Sequence, residues 1–109
     1  MQNPGVSDFG SNIVSTKTPL IGLTPTFAVI GTSSTPVLSA NSARKGCVFV
    51  NVSSNYISFG IASNNAVLYS GITLAPNGVW DMSEYDYVTS AINAIASASG
   101  SQLSIQEFQ

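Results

Sequence analysis

Histidine is absent from the 109 residues, cysteine occurs once, as Cys47, and only 7% of the residues are charged, three basic against five acidic. Each shortage closes off a class of chemistry. One thiol and no imidazole offer neither an internal disulfide framework nor the ligand set of a structural zinc site. Cys47, set in an apolar segment, reads as a small buried hydrophobe. A net charge of -2 supplies no basic footprint for nucleic acid or for an anionic membrane. No apolar run approaches the ~18 residues of a transmembrane helix. The N-terminal Met1-Gln2-Asn3-Pro4-Gly5 lacks the basic and apolar regions of a signal peptide, so synthesis in the cytoplasm without secretion is expected. With so little charge, the surface falls to Ser, Thr, Asn and Gln, which keep a protein soluble but give it little self-repulsion.

What is present is 44% apolar residues in a chain of one-domain length, enough for a single core. Residues 1–25 carry Pro4, Gly5, Gly10, Pro19, Gly22 and Pro25 among scattered apolar residues, Phe9, Ile13 and Leu20 among them. That composition suits an extended arm that gains by lying on a surface of its own domain or of a neighbouring subunit. Residues 26–109 change texture, to short runs separated by turn residues at intervals of about eight to twelve positions, the signature of an all-β sandwich or barrel.

Thr26-Phe27-Ala28-Val29-Ile30 is the first expected strand, and Pro36-Val37-Leu38-Ser39 the second, with Pro36 suited to a strand start or a sheet edge. In Cys47 to Val52 the residues Val48, Val50 and Val52 point one way and Cys47 and Phe49 the other; with both faces apolar, the strand belongs in the centre of a sheet. Ser53-Ser54-Asn55 reads as a tight hairpin loop into Tyr56 to Ile61, which alternates cleanly. Ala66 to Leu74 reads as one strand bent at Gly71 or as two short ones. Ala75-Pro76-Asn77-Gly78 fits a type I turn leading into a strand at Val79 to Met82. Residues 88–98 satisfy both a helical and a strand pattern, and the Gly100-Ser101 turn before the alternating Gln102 to Phe108 favours a terminal hairpin. The total is seven or eight antiparallel strands, a β-sandwich of the jelly-roll or immunoglobulin-like kind.

No catalytic motif emerges, and neither enzymatic activity nor a cofactor is expected. Asp8-Phe9-Gly10 matches a kinase tripeptide without any of its companions. Asp81, Glu84 and Asp86 fall within six residues, but the spacing fits no calcium loop and no acid in an apolar pocket suggests a glycosidase pair. Asn51-Val52-Ser53 matches a glycosylation sequon but lies in an expected strand. The candidate contact residues are therefore the adjacent cations Arg44 and Lys45, suited to a carboxylate on a partner or at Glu84 and Asp86, and the loop aromatics Tyr85 and Tyr87. Trp80 is expected to serve the core. Phe9, Ile13 and Leu20 are the arm's candidate contacts.

Arg44-Lys45-Gly46, Phe49-Val50-Asn51-Val52-Ser53, Ile57 with Gly60, Gly71 to Gly78 with Trp80, Ala91 to Ala96 and Leu103-Ser104-Ile105-Gln106-Glu107 form a spaced succession across residues 36–108. This succession resembles the small β-sandwich virion proteins of tailed bacteriophages. The resemblance implies a head decoration or cement protein on the capsid surface, often trimeric, with the major capsid protein as partner. Related modules in tails and fibres imply the alternative of a receptor- or glycan-binding role, for which Tyr85, Tyr87 and Trp80 are the candidates. The arm takes no part in the resemblance. A charge-poor, Ser/Thr/Asn-rich β domain suits either role, because its contacts come from area and edge pairing.

Overall fold

In a computed structural model, residues 19–83 and 87–109 are described. They form eight strands: β1 (Thr26–Ile30), β2 (Thr35–Leu38), β3 (Gly46–Asn51), β4 (Ile57–Gly60), β5 (Thr73–Leu74), β6 (Val79–Met82), β7 (Ile92–Ala96) and β8 (Ser101–Phe108). Two four-stranded antiparallel sheets pack together, one in the order β1-β8-β3-β6 and the other β2-β7-β4-β5. Odd and even strands do not simply alternate as hairpins. β1 pairs with β8, β2 with β7, β3 with β6 and β4 with β5, so the chain is paired as one long hairpin whose tip is the β4–β5 connection.

The alternation seen in the sequence builds the core. Cys47 and Phe49 of β3, Leu103 and Ile105 of β8, and Ile30 and Met82 face Ile57, Phe59, Leu74, Ile92, Ala94 and Ala96 of the other sheet. Three rings join the layers: Phe49 stacks on Trp80 at 5.0 Å between centroids, and Phe59 lies 5.2 Å from Phe49 and 5.1 Å from Trp80. Trp80 thus serves the core, as expected. Residues 92–96 form a strand, and their alanines have a steric reason: Phe59 is paired with Ala94 and Ile57 with Ala96, setting each large side chain beside a small one.

Four local expectations are corrected. Ser53-Ser54-Asn55 is not a hairpin loop, because β3 and β4 lie in different sheets; the segment crosses between the layers. For the same reason β7 and β8 do not form a terminal hairpin, and residues 97–100 cross the sandwich with Gly100 in the left-handed region (φ +76°). Of the expected strand material between Ala66 and Leu74, only Thr73–Leu74 pairs, with β4. The Ala75–Gly78 turn closes through the Gly78 N–H donating to the Ala75 carbonyl at 2.8 Å, but Asn77 has φ +66°, which makes it type II rather than type I.

The segment 61–70 does something else. Ala62 and Ser63 both have positive φ (59° and 66°) and the Asn64 N–H donates to the Ile61 carbonyl, a mirror-image turn that sends the chain back over the outer face of β4. A side chain at Gly60 would meet the Asn64 carbonyl oxygen at 2.2 Å and the Ala66 nitrogen at 2.6 Å, so only glycine admits that approach. The Ser58 hydroxyl accepts the Tyr69 N–H at 2.8 Å, and the Ser34 hydroxyl accepts that of Ala66 at 2.9 Å. All four residues of β4 are consequently buried.

Of the arm, only its end lies within the described residues. Gly22 bridges Phe108, Ile21 exchanges two backbone hydrogen bonds with Gln109 (2.7 and 2.9 Å), and the Leu23 N–H donates to the Glu107 carbonyl at 2.9 Å. Residues 21–23 therefore pack on their own domain, prolonging the line of β1 along β8.

Candidate functional site

Arg44 sits at one end of the sandwich. The turn Asn41 to Arg44, closed by the Arg44 N–H on the Asn41 carbonyl and by the Ala43 N–H on Asn41 Oδ1, aims the guanidinium inward. Its Nε donates to Glu107 Oε2 at 2.9 Å, Nη1 to the carbonyls of Val88 (2.8 Å) and Ser90 (3.0 Å), and Nη2 to that of Ser39. Asn41 Nδ2 donates to the same Glu107 oxygen at 2.9 Å. This corrects the expectation that Arg44 is a cation offered to a partner; Glu84 and Asp86 lie outside the described residues. Arg44 is 1% exposed, and the carboxylate it holds is Glu107 of β8. The planar fork satisfies backbone carbonyls that the 39–45 and 87–91 loops would otherwise bury unpaired. Lys45 beside it is exposed. Buried Cys47 faces the same region, and burial pushes its thiol up to about 12, outweighing the lowering by Arg44. A thiol so protonated is no nucleophile.

Asn51 plays the corresponding part at the opposite crossing. Fully buried, it donates from Nδ2 to the carbonyls of Asn55 (2.6 Å), Leu74 (3.0 Å) and Ala75 (3.1 Å), and its Oδ1 accepts from the backbone and hydroxyl of Ser53. The sequon match is therefore a structural latch, with no amide free for a glycan.

The surface carries the remaining candidates. Tyr87 is exposed, Leu20 is exposed at the arm's end, and Phe9, Ile13, Glu84, Tyr85 and Asp86 lie outside the described residues. Of the described contact candidates, Arg44 is drawn into the fold while Lys45, Tyr87 and Leu20 stay exposed. Two surfaces were not singled out by the sequence. The first is a groove of about 350 Å³ beside the 61–70 segment, lined by Phe59, Ile72, Val67 and the amide residues Asn64 and Asn65. Tyr69, which adjoins the groove residue Ser70 and is held at φ +63°, packs edge-on against Tyr56 at 5.7 Å, and both residues are exposed. The second is the outer face of the β1-β8-β3-β6 sheet. Register aligns Phe27, Ser104, Val50 and Val79 in one row across all four strands, with Val29 and Gln102 in the next; Phe27, Val29 and Val79 are each more than half exposed. The signal was available: these are the outward partners of the alternating core positions.

Among the described residues no three Cys, Asp or Glu side chains gather as a metal site, and no helix is long and apolar enough to cross a membrane. Comparison with family models, with curated proteins and with solved structures returns no match.

Proposed function

We propose that this chain is a jelly-roll structural protein of a tailed-phage virion, a head decoration or cement protein that binds between major capsid subunits and stabilises the capsid. The jelly-roll reading is supported by the pairing of β1 with β8, β2 with β7, β3 with β6 and β4 with β5. An immunoglobulin-like sandwich would pair its first two strands in one sheet, whereas here β1 and β2 belong to different sheets. Jelly rolls recur in viral capsids and in lectins. The observation that carries the functional reading is the uncharged row Phe27-Ser104-Val50-Val79 across a whole sheet, apolar but for Ser104 and uncovered among the described residues, because a protein that works by covering neighbours needs area rather than reactive groups. On this reading it acts on the capsid surface as a homo-oligomer. Purified virions should contain it in hundreds of copies, and capsids assembled without it should burst at lower temperature. A copy number of a dozen or fewer, or unchanged capsid stability, would sink the proposal.

The Tyr56–Tyr69 pair beside an amide-lined groove favours one second reading, a glycan-binding module of a tail or fibre. Tyrosine faces stack on sugars while amides bond hydroxyls. Tyr56→Ala and Tyr69→Ala should then each abolish binding to host-surface glycans. Trp80 contributes little to it, its ring being stacked on Phe49.

A further inference from the structure

We infer that β1 is a self-pairing edge: two copies of this chain join β1 to β1 antiparallel about a two-fold axis at Ala28, continuing the two β1-β8-β3-β6 sheets into one of eight strands. The inference does not rest on the virion reading, since it concerns the isolated chain.

Four edges are open among the described residues, and three are blunted. β5 is two residues long. β2 carries Pro36 and a register shift between Pro36 and Leu38. β6 carries the charge of Asp81. β1 has none of these devices: Thr26–Ile30 contains no charge and no proline, and it pairs with β8 in unbroken register from Thr26↔Ile105 to Ile30↔Ser101. Natural edges of this kind are protected or used. Phe27 is 66% and Val29 62% exposed, side by side on the outer face.

The strand's own sequence selects a second copy as occupant. With the axis at Ala28, Phe27 of each copy falls opposite Val29 of the other, two aromatic–β-branched cross-strand pairs with no like charges in contact. The same axis runs the Phe27-Ser104-Val50-Val79 row of each copy into the Val29-Gln102 row of the other. A closed pair, rather than the trimer implied by the resemblance, is then the unit of self-association. The shared edge is short, which places it at the weak end of interface sizes.

Sedimentation velocity on the full chain from about 10 μM to about 1 mM, where small interfaces associate, should show monomers passing to dimers. Phe27→Lys should raise the dissociation constant at least about tenfold by removing both pairs, while near-ultraviolet dichroism stays unchanged. Adding Val29→Glu to Phe27→Lys should restore dimers in low salt and not in high salt, because only this register opposes the new ammonium and carboxylate. A chain that stays monomeric throughout, or one whose association ignores Phe27→Lys, overturns the proposal. So does failure of the charge pair to rescue. Loss of dimers on deleting residues 1–18, with Phe27→Lys silent, assigns the contact to the arm instead.

Discussion

The two sheets of this sandwich treat their outer faces differently. Over the β2-β7-β4-β5 sheet the chain lays its own segment 61–70, pinned by Ser58 and Ser34 hydroxyls and admitted by the missing Cβ of Gly60. The β1-β8-β3-β6 sheet has no such cover among the described residues and shows solvent Phe27, Val29 and Val79. Burying β4 on both faces makes that sheet a finished surface, complete within one chain. Among the described residues the other sheet completes only its inner face, so its outer apolar side chains contribute little to the fold of the isolated domain. That asymmetry separates residues that hold the protein together from residues free to serve contact.

The comparison can be broken first at the clamp that joins the sheets. Arg44 links Glu107 of β8 to carbonyls flanking β2 and β7. Arg44→Ala leaves three carbonyls without their donor and a nearly buried carboxylate without its counter-charge, held by the Asn41 amide alone, and should cost about 3–5 kcal/mol in urea unfolding. Arg44→Lys should recover part of that, since one ammonium cannot reach all four acceptors. A loss under about 1 kcal/mol would mean that the clamp is dispensable.

The covered face should break next. Gly60→Ala drives a methyl into the backbone of residues 64–66 and should cost about 1–3 kcal/mol, whereas Gly31→Ala, with nothing within 4 Å of its added methyl, should shift stability by about 0.5 kcal/mol at most. Equal effects at the two glycines would remove the distinction drawn for segment 61–70.

A smaller effect is set by pH. The Cys47 thiol titrates at about 12 in the folded chain against an ordinary 9.0. The unfolded chain therefore gives up this proton first, and the stability the group contributes is full below about pH 9 and declines as pH rises toward 12. Urea midpoints at rising alkaline pH should fall less steeply for Cys47→Ala than for the wild type, although the variant starts lower for its lost packing. Parallel slopes would count against a buried thiol.

The smallest change is expected on the bare face. Val79→Thr and Val50→Thr should each alter monomer stability by no more than about 0.5–1 kcal/mol, with Val79, the more exposed, at the lower end. Larger losses would show that this face is also part of the fold.

Much of the strand inventory was legible, because period-two alternation reports burial directly: Cys47 and Phe49, Ile57 and Phe59, and Leu103 and Ile105 all face inward as the pattern implies. Turn chemistry was legible in place but not in type, since Asn tolerates the left-handed conformation that turned the Ala75–Gly78 turn into type II. The site was far less legible. Arg44 looks like half of a solvated basic pair with Lys45, and nothing in its neighbours reveals that Glu107, sixty-three positions away, waits for it. Tyr69 looked like part of a strand, and its exposure beside Tyr56 depends on a turn at Ala62-Ser63 made of residues that seldom adopt it.

The sequence by itself determined an all-β chain with a defined set of inward side chains, since alternation and turn residues are local properties of a pleated strand. Only the tertiary structure decided which strands are neighbours. Two short loops that looked like hairpins instead cross between sheets, because β3 and β8 find their best partners in each other rather than in the strands that follow or precede them. From that long-range pairing come the burial of Arg44, the latch at Asn51 and the β1 edge, left without protection among the described residues.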